Sequence, residues 1–480
     1  MVQRVLGLFL ILFSTVLIPP VIISWLYHDD AMSVFLVAFS LIVGLGLLFW
    51  LPRHKYRRDL RRKDGFIIVV MFWVVLSLSG SLPFFLAENP NLSFTDAVFE
   101  SVSELTTTGA TVINGLDGLP KSLLFYRQEL QWLGGMGLIV LGVAILPMLG
   151  IGGMQLYRAE IPGPMKTDKF TPRIAETAKT LWLIYIGLTI TCATAYWFAG
   201  MSLFDAVAHS FSTIAIGGSS THDDSFGYFN SPLIEAIAVF FIFLAGMNFS
   251  LHFFTLRNHA IKHYWKDEEC RAYLFILVLV TLFSSIYLWI YQDFSDPYSA
   301  LRNGLFYTIS IGTTAGFSTG DGYGSLPGFF PVLLLMVAYI GACGGSTGGG
   351  MKVIRALLLY KQGTREIKRL IYQSATISIK MGDKSIPDQI IEGVSGFMAI
   401  YMVCFILLYL TLLATGLDMI TAFSAVTSCL NNVGVGLGEA TNNYENINII
   451  SKWTLCFAML LGRLEIFPII VLMTPIFWKQ

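Results

Sequence analysis

Four stretches of this chain share one layout: DAVFESVSELTTTGAT from Asp96 to Thr111, DAVAHSFSTIAIGGSS from Asp205 to Ser220, NGLFYTISIGTTAGFS from Asn303 to Ser318, and TAFSAVTSCLNNVGVG from Thr421 to Gly436. Laid over one another without gaps, all four carry serine at the eighth position (Ser103, Ser212, Ser310, Ser428) and glycine at the fourteenth (Gly109, Gly218, Gly316, Gly434). The glycines stand 109, 98 and 118 residues apart, so one unit recurs four times. Each copy is an apolar run too short to cross a bilayer, ending in hydroxyl residues and a loop. Non-helical backbone at membrane depth is tolerated only where protein buries it or water lines it, and four loops facing one axis meet that condition. Glycine opens backbone conformations closed to other residues, letting successive carbonyls turn toward the axis. The expected oxygens come from Thr107, Thr108 and Gly109; Ile216, Gly217 and Gly218; Thr314, Ala315 and Gly316; and Asn432, Val433 and Gly434. Rings of peptide oxygens replace a water shell around a cation, the chemistry of a potassium filter.

Two further features carry chemistry. The run Gly341 to Gly350, GACGGSTGGG, puts so many glycines into an apolar segment that its helix must break near mid-membrane, beside a cavity. It is no phosphate loop, because Met351 follows Gly350 and Lys352 comes one place late. Arg463 lies inside the apolar run 453–478, where a charge faces a cavity or a partner; Glu465, two residues on, points to another helix face. Arg463 is expected to face the pore beneath the loops as an electrostatic barrier. Glu100, Glu104 and His209 either support the loops or hydrogen-bond nearby segments. His259 and His263 share a helix face without a third ligand, which reads as a solvated surface. Six scattered cysteines form no C-x-x-C pair and read as reduced packing residues, and no nucleophile, histidine and acid set marks an enzyme.

The elements that hold these residues are helices in a bilayer. Of 480 residues 55% are hydrophobic and 13% charged, with a mean hydropathy of +0.67, more apolar surface than a soluble core could hide. A net charge of zero argues against nucleic acid as a partner. Segments long enough for a core of about 30 Å fall near 5–27, 33–52, 66–87, 125–150, 180–199, 231–256, 269–291, 329–359, 391–415 and 453–478. Twenty-four of the 31 Lys and Arg sit in 53–65, 150–180, 257–271 and 352–384, which makes these loops, and with them both termini, cytoplasmic. The short helices then dip in from the opposite face, capped by Ser93, Ser202 and Asp418. That face is acidic: Glu88, Asp117, Asp223, Asp224, Asp293, Asp296, Asp321, Glu439 and Glu445 outnumber Lys121, Arg127, Arg302 and Lys452. The expected fold is an all-α polytopic membrane protein. It divides into a two-helix domain (1–64) and four pseudosymmetric pore repeats, 65–178, 179–267, 268–384 with a broken inner helix and a cytoplasmic loop, and 385–480.

TTTGAT, STIAIGG, TTAGFSTGD, LNNVGVGLGE, GGSTGGGMKVIR and GRLEIF, spread over nearly the whole chain, resemble the Trk/Ktr/HKT superfamily of cation transporters, and within it the TrkH-type subunits of bacterial potassium uptake. In that family glycine in all four filters goes with potassium, and no copy here has the full TVGYG of tetrameric channels, which implies a shorter filter. The resemblance implies that Gly344, Gly345, Ser346, Thr347, Gly348, Gly349 and Gly350 form a gate beneath the filter, with Arg463 beside them. It implies potassium as the transported ion with no organic cofactor, a homodimer with one pore per subunit, and the bacterial cytoplasmic (inner) membrane. It also implies a TrkA-like nucleotide-binding ring as cytosolic regulator, for which loop 352–384, amphipathic near 364–372, is the expected dock. Coupling to a proton or sodium ion stays open. A phosphate-binding membrane enzyme would need paired acids or histidines near the glycine run, and Cys343, Ser346 and Thr347 supply none.

Overall fold

The computed structural model describes residues 2–53, 62–137, 174–291, 296–320, 322–373, 375–382 and 384–479. Most of the basic loop 150–180, much of the basic run 53–65, the far part of the expected span 125–150, and Asp293 and Asp321 lie outside the described residues. Among the described residues the chain is helical apart from turns and one antiparallel pair of two-residue strands, Lys380–Met381 with Lys384–Ser385.

Among the described residues six helices are long and apolar enough to cross a membrane: Val2–Tyr27, Met32–Trp50, Lys63–Leu86, Lys179–Phe198, Glu268–Tyr291 and Asp388–Ala414. Their outer faces carry bare apolar side chains such as Leu48, Phe198, Phe275 and Ile290. The polar residues lie inside: Thr106, Thr107, Thr108, Ser212, Thr213, Thr313, Thr314 and Asn431 are fully buried. Apolar groups outside and hydroxyls inside is the arrangement a bilayer imposes, and the chain is an all-α, multi-pass membrane protein.

Between the spanning helices sit four short ones, Phe94–Leu105, Leu203–Ala215, Pro297–Gly312 and Met419–Asn431, called half-helices 1 to 4. At 12, 13, 16 and 13 residues and about 1.5 Å per residue, none reaches across about 30 Å of hydrocarbon. Side-chain oxygens cap all four starts. Ser93 accepts from the Asp96 N–H (3.2 Å), Ser202 from Asp205 (3.1 Å), and Asp418 from Ile420 (3.0 Å) and Thr421 (3.2 Å). The third cap is Asp296, which accepts from the Ser299 N–H (3.1 Å). Asp296 is thus both an acid of the outer face and a helix cap, a second role that its sequence reading does not include.

The inner helices depart from straight spans. The expected span 231–256 is Pro232–Ala245 and Phe249–Asn258, bent by 91°, and 453–478 is Ile449–Arg463 and Phe467–Met473, bent by 115°. The first breaks where the Asn248 side chain caps a new helix by accepting from the Ser250 N–H (2.8 Å). The second breaks where Glu465 and Ile466 take positive φ (54° and 64°) just before Pro468. The expected span 329–359 is interrupted, as the glycine run requires, between Phe329–Ile340 and Val353–Ile371. The remaining inner helix is described as Lys121–Gly135.

Candidate ion filter and gate

Each half-helix ends in the same way. The twelfth residue of the unit is left-handed in every copy: Thr107 and Ile216 at φ 55°, Thr314 at 75°, Asn432 at 55°. The glycine two places on is left-handed too, Gly109 at 76°, Gly218 at 80°, Gly316 at 83° and Gly434 at 92°. Between them the thirteenth residue's N–H reaches back to the carbonyl of the shared serine: Thr108 to Ser103 (2.8 Å), Gly217 to Ser212 (2.9 Å), Ala315 to Ser310 (2.6 Å) and Val433 to Ser428 (2.8 Å). This is a Schellman cap, built with threonine, isoleucine or asparagine where glycine is usual. Two of the four carry β-branched threonine and one isoleucine in a conformation such residues avoid, so the surroundings hold them there.

The surroundings are the other loops. A Cβ on Gly109 would stand 2.2 Å from the Gly217 carbonyl oxygen, one on Gly218 2.0 Å from that of Ala315, one on Gly316 2.0 Å from that of Val433, and one on Gly434 2.3 Å from that of Thr108. Loop 1 abuts loop 2, loop 2 abuts 3, 3 abuts 4 and 4 returns to 1, always with the same pair of positions. Only loops set around one axis at one level close such a cycle. The half-helices end at this ring, so their C-terminal partial negative charge is directed at it.

Behind the ring lies a buried polar scaffold. Glu100 accepts from Arg127 Nε (2.7 Å), the Thr111 hydroxyl (3.0 Å) and the Val112 N–H (3.1 Å), while Glu104 faces Arg127 Nη2 (3.0 Å) and accepts from the Ser219 hydroxyl (2.7 Å). Gln131 donates to the Gly217 carbonyl (2.7 Å), and His209 joins the Asp205 carbonyl and the Ser220 hydroxyl at 2.9 Å each. Glu100, Glu104 and His209 thus hydrogen-bond the loops that follow half-helices 1 and 2. Arg127 is buried, Lys452 is buried against Asp96 (2.5 Å), and Arg302 is paired with Glu235 (2.6 Å), which itself accepts from Thr319 (2.6 Å). Arg127 and Lys452 therefore do not offset the acidic outer face. Arg127 pairs with Glu100 and Glu104 just upstream in the chain, whereas Lys452 and Arg302 pair with residues 356 and 67 positions away.

At the outer rim His222 joins two repeats. Its Nδ1 pairs with Asp117, its Nε2 faces Asp205 at 3.4 Å, and its ring stacks on Tyr228 with centroids 3.4 Å apart. Burial works against charging this imidazole, but the two carboxylates outweigh it and raise its pKa. Sequence reading missed His222, because its partners come from two different repeats.

The glycine loop lies directly below and is hydrogen-bonded to the second, third and fourth copies. The Thr347 hydroxyl donates to the Ile214 carbonyl (2.9 Å), the Gly349 N–H to the Thr314 hydroxyl (2.6 Å), and the Gly350 N–H to the Asn431 carbonyl (3.0 Å). Arg463 supplies the link to the first copy: Nη1 donates to the Thr107 hydroxyl (3.2 Å) and to the Thr347 carbonyl (3.1 Å), and Nη2 to the Gly134 carbonyl. It is thus wedged between loop 1 and the glycine loop. Glu465 pairs instead with Arg355, whose guanidinium lies 4.2 Å from the Phe397 ring centre. Lys352 donates to the Gly348 carbonyl inside its own loop. At the base of the loop Glu269 accepts from both limbs, from the Gly344 N–H (2.6 Å) and the Ile354 N–H (3.1 Å). Nothing in the spacing of Glu269 pointed to this. Among the described residues no group of three His, Cys, Asp or Glu could hold a metal, and the six cysteines are all buried and free.

Fold and site together define a helical membrane protein in which four re-entrant loops ring one axis above an intramembrane loop. The family model described as "Cation transport protein" matches residues 31–479, and the chain belongs to this TrkH family, of transporters rather than enzymes. It is 54% identical over 479 residues to the Trk system potassium uptake protein TrkH of Vibrio parahaemolyticus, covering 99% of both chains. It is 51% identical to that of Escherichia coli K12, covering 100% of this chain and 99% of the relative. The crystal structure of the potassium transporter TrkH from Vibrio parahaemolyticus superimposes with a TM-score of 0.90 at 52% identity, covering 99% of each chain.

Proposed function

We propose that this protein carries potassium into the cell across the bacterial cytoplasmic membrane, through a filter made of Thr107 to Gly109, Ile216 to Gly218, Thr314 to Gly316 and Asn432 to Gly434. The observation that carries the reading is the closed cycle of glycine against carbonyl, which brings peptide oxygens from four copies to one level where they can replace hydration water. The glycine loop 341–350 with Arg463 is the gate. In support, the loop is bonded to the second, third and fourth copies, and Arg463 sets its guanidinium against the first filter loop, where it repels cations. A membrane potential supplies about 2.3 kcal/mol per charge per 100 mV, enough to draw a monovalent cation inward without other fuel.

The division at 64, 178, 267 and 384 into one two-helix domain and four pore repeats belongs to the same proposal, as do cytoplasmic termini and a homodimer. So does a TrkA-like nucleotide-binding ring docked on the cytoplasmic end of Val353–Ile371, where Ile367, Leu370, Ile371 and Tyr372 are exposed beside Lys368 and Arg369. Potassium and sodium fluxes into liposomes holding purified protein, with and without a proton gradient, test the central claim. Potassium flux above sodium flux and independent of the gradient is expected, and Arg463→Ala should raise it. Flux that requires the proton gradient would favour a symporter, and equal potassium and sodium flux would refute the filter assignment.

A further inference from the structure

The four left-handed residues beneath the ring are also the surface on which the glycine loop rests. Thr107 accepts from Arg463, Ile216 Cδ1 lies 3.6 Å from the place a Gly348 side chain would take, and Asn432 Cβ lies 3.2 Å from that of Gly349. Thr314 alone of the four accepts a hydrogen bond from the backbone of the loop, at 2.6 Å from the Gly349 N–H. The other loop-to-ring bonds, to the Ile214 and Asn431 carbonyls, end on peptide oxygens that any side chain would supply. Thr314 is fully buried and holds a β-branched side chain at φ 75°, one residue before the Ala315 carbonyl that abuts Gly218. At the far end of the loop Glu269 pins both limbs to one carboxylate oxygen, so that end is a fixed base, while the Gly348–Gly349 tip is held to the ring through Thr314.

We propose that Thr314 is a positioning residue that latches the tip of the glycine loop to the third filter loop, so that closing the gate and holding the filter geometry are one hydrogen-bonded event. When the tip withdraws, the Thr314 hydroxyl loses its donor, the strained residue relaxes, and the neighbouring Ala315 carbonyl moves with it. Discrimination between potassium and sodium then depends on the state of the gate. This inference rests on reading the loop as a gate, and the test separates the two.

Full-length protein in liposomes is compared as wild type, Thr314→Val, Thr314→Ser and Arg463→Ala, with basal potassium and sodium fluxes divided by the amount of protein reconstituted. Valine keeps the shape and removes the acceptor, leaving the Gly349 N–H buried without a partner only when the loop is closed; basal potassium flux should rise roughly tenfold, and the potassium-to-sodium ratio should shift. Serine restores the acceptor, so its flux should fall well below that of valine. A rise in Arg463→Ala without one in Thr314→Val overturns the latch and leaves the gate standing. No rise in either overturns both. Equal rises in the valine and serine variants overturn the latch, because packing and not the hydrogen bond would be responsible.

Discussion

Replacing Gly316 by alanine puts the carbonyl ring to a quantitative test. The new Cβ would lie 2.0 Å from the Val433 oxygen and 3.3 Å from its carbon with no other atom within 4 Å, while real contacts essentially never fall under 3.0 Å, so that oxygen must retreat by at least the 1.0 Å difference. For a half-unit charge moved from about 2.8 to about 3.8 Å from a monovalent cation, at an effective dielectric constant of about 20, the lost attraction is about 0.8 kcal/mol. That is roughly a fourfold loss of occupancy. The alanine also pays about 1–2 kcal/mol for a left-handed backbone. Gly115→Ala isolates that second cost, since Gly115 has φ 70° and nothing within 4 Å of its added Cβ. Paired potassium and sodium fluxes in liposomes, with thermal unfolding in detergent, should show both variants destabilised and the ion ratio lowered only in Gly316→Ala. A Gly316→Ala protein with the wild-type ratio would refute the reasoning, since the Val433 oxygen would then not be a ligand.

Two further outcomes follow from the scaffold. Arg127→Met leaves the buried carboxylates Glu100 and Glu104 without their shared cation and should cost about 3–5 kcal/mol of stability, seen as a lower unfolding midpoint that the added change Glu100→Gln partly restores. At the rim, the raised pKa of His222 means that its bridge stabilises fully below the ordinary imidazole value of about 6.5 and weakens as pH rises through the raised folded value. Thermal unfolding across neutral to alkaline pH should therefore fall more steeply in the wild type than in His222→Gln, and parallel curves would sink the assignment.

The sequence by itself determined what is local or repeated. Four matched serines and glycines announced four equivalent loops, Ser93, Ser202 and Asp418 announced helix starts, and the density of glycine between 341 and 350 announced a broken helix, because caps and backbone freedom depend on neighbours in the chain. The third cap, Asp296, is legible by the same rule, three residues before the Ser299 N–H that it accepts from. Tertiary structure alone decided which group meets which across the repeats. Arg463 reaches Thr107, 356 positions away, and Lys452 reaches Asp96 across the same interval. Glu269 finds both limbs of the glycine loop, and the two inner helices turn by 91° and 115°. A side chain carries its charge in its own identity, but its partner is set by how four similar units close around an axis, and no periodicity within one unit encodes that closure.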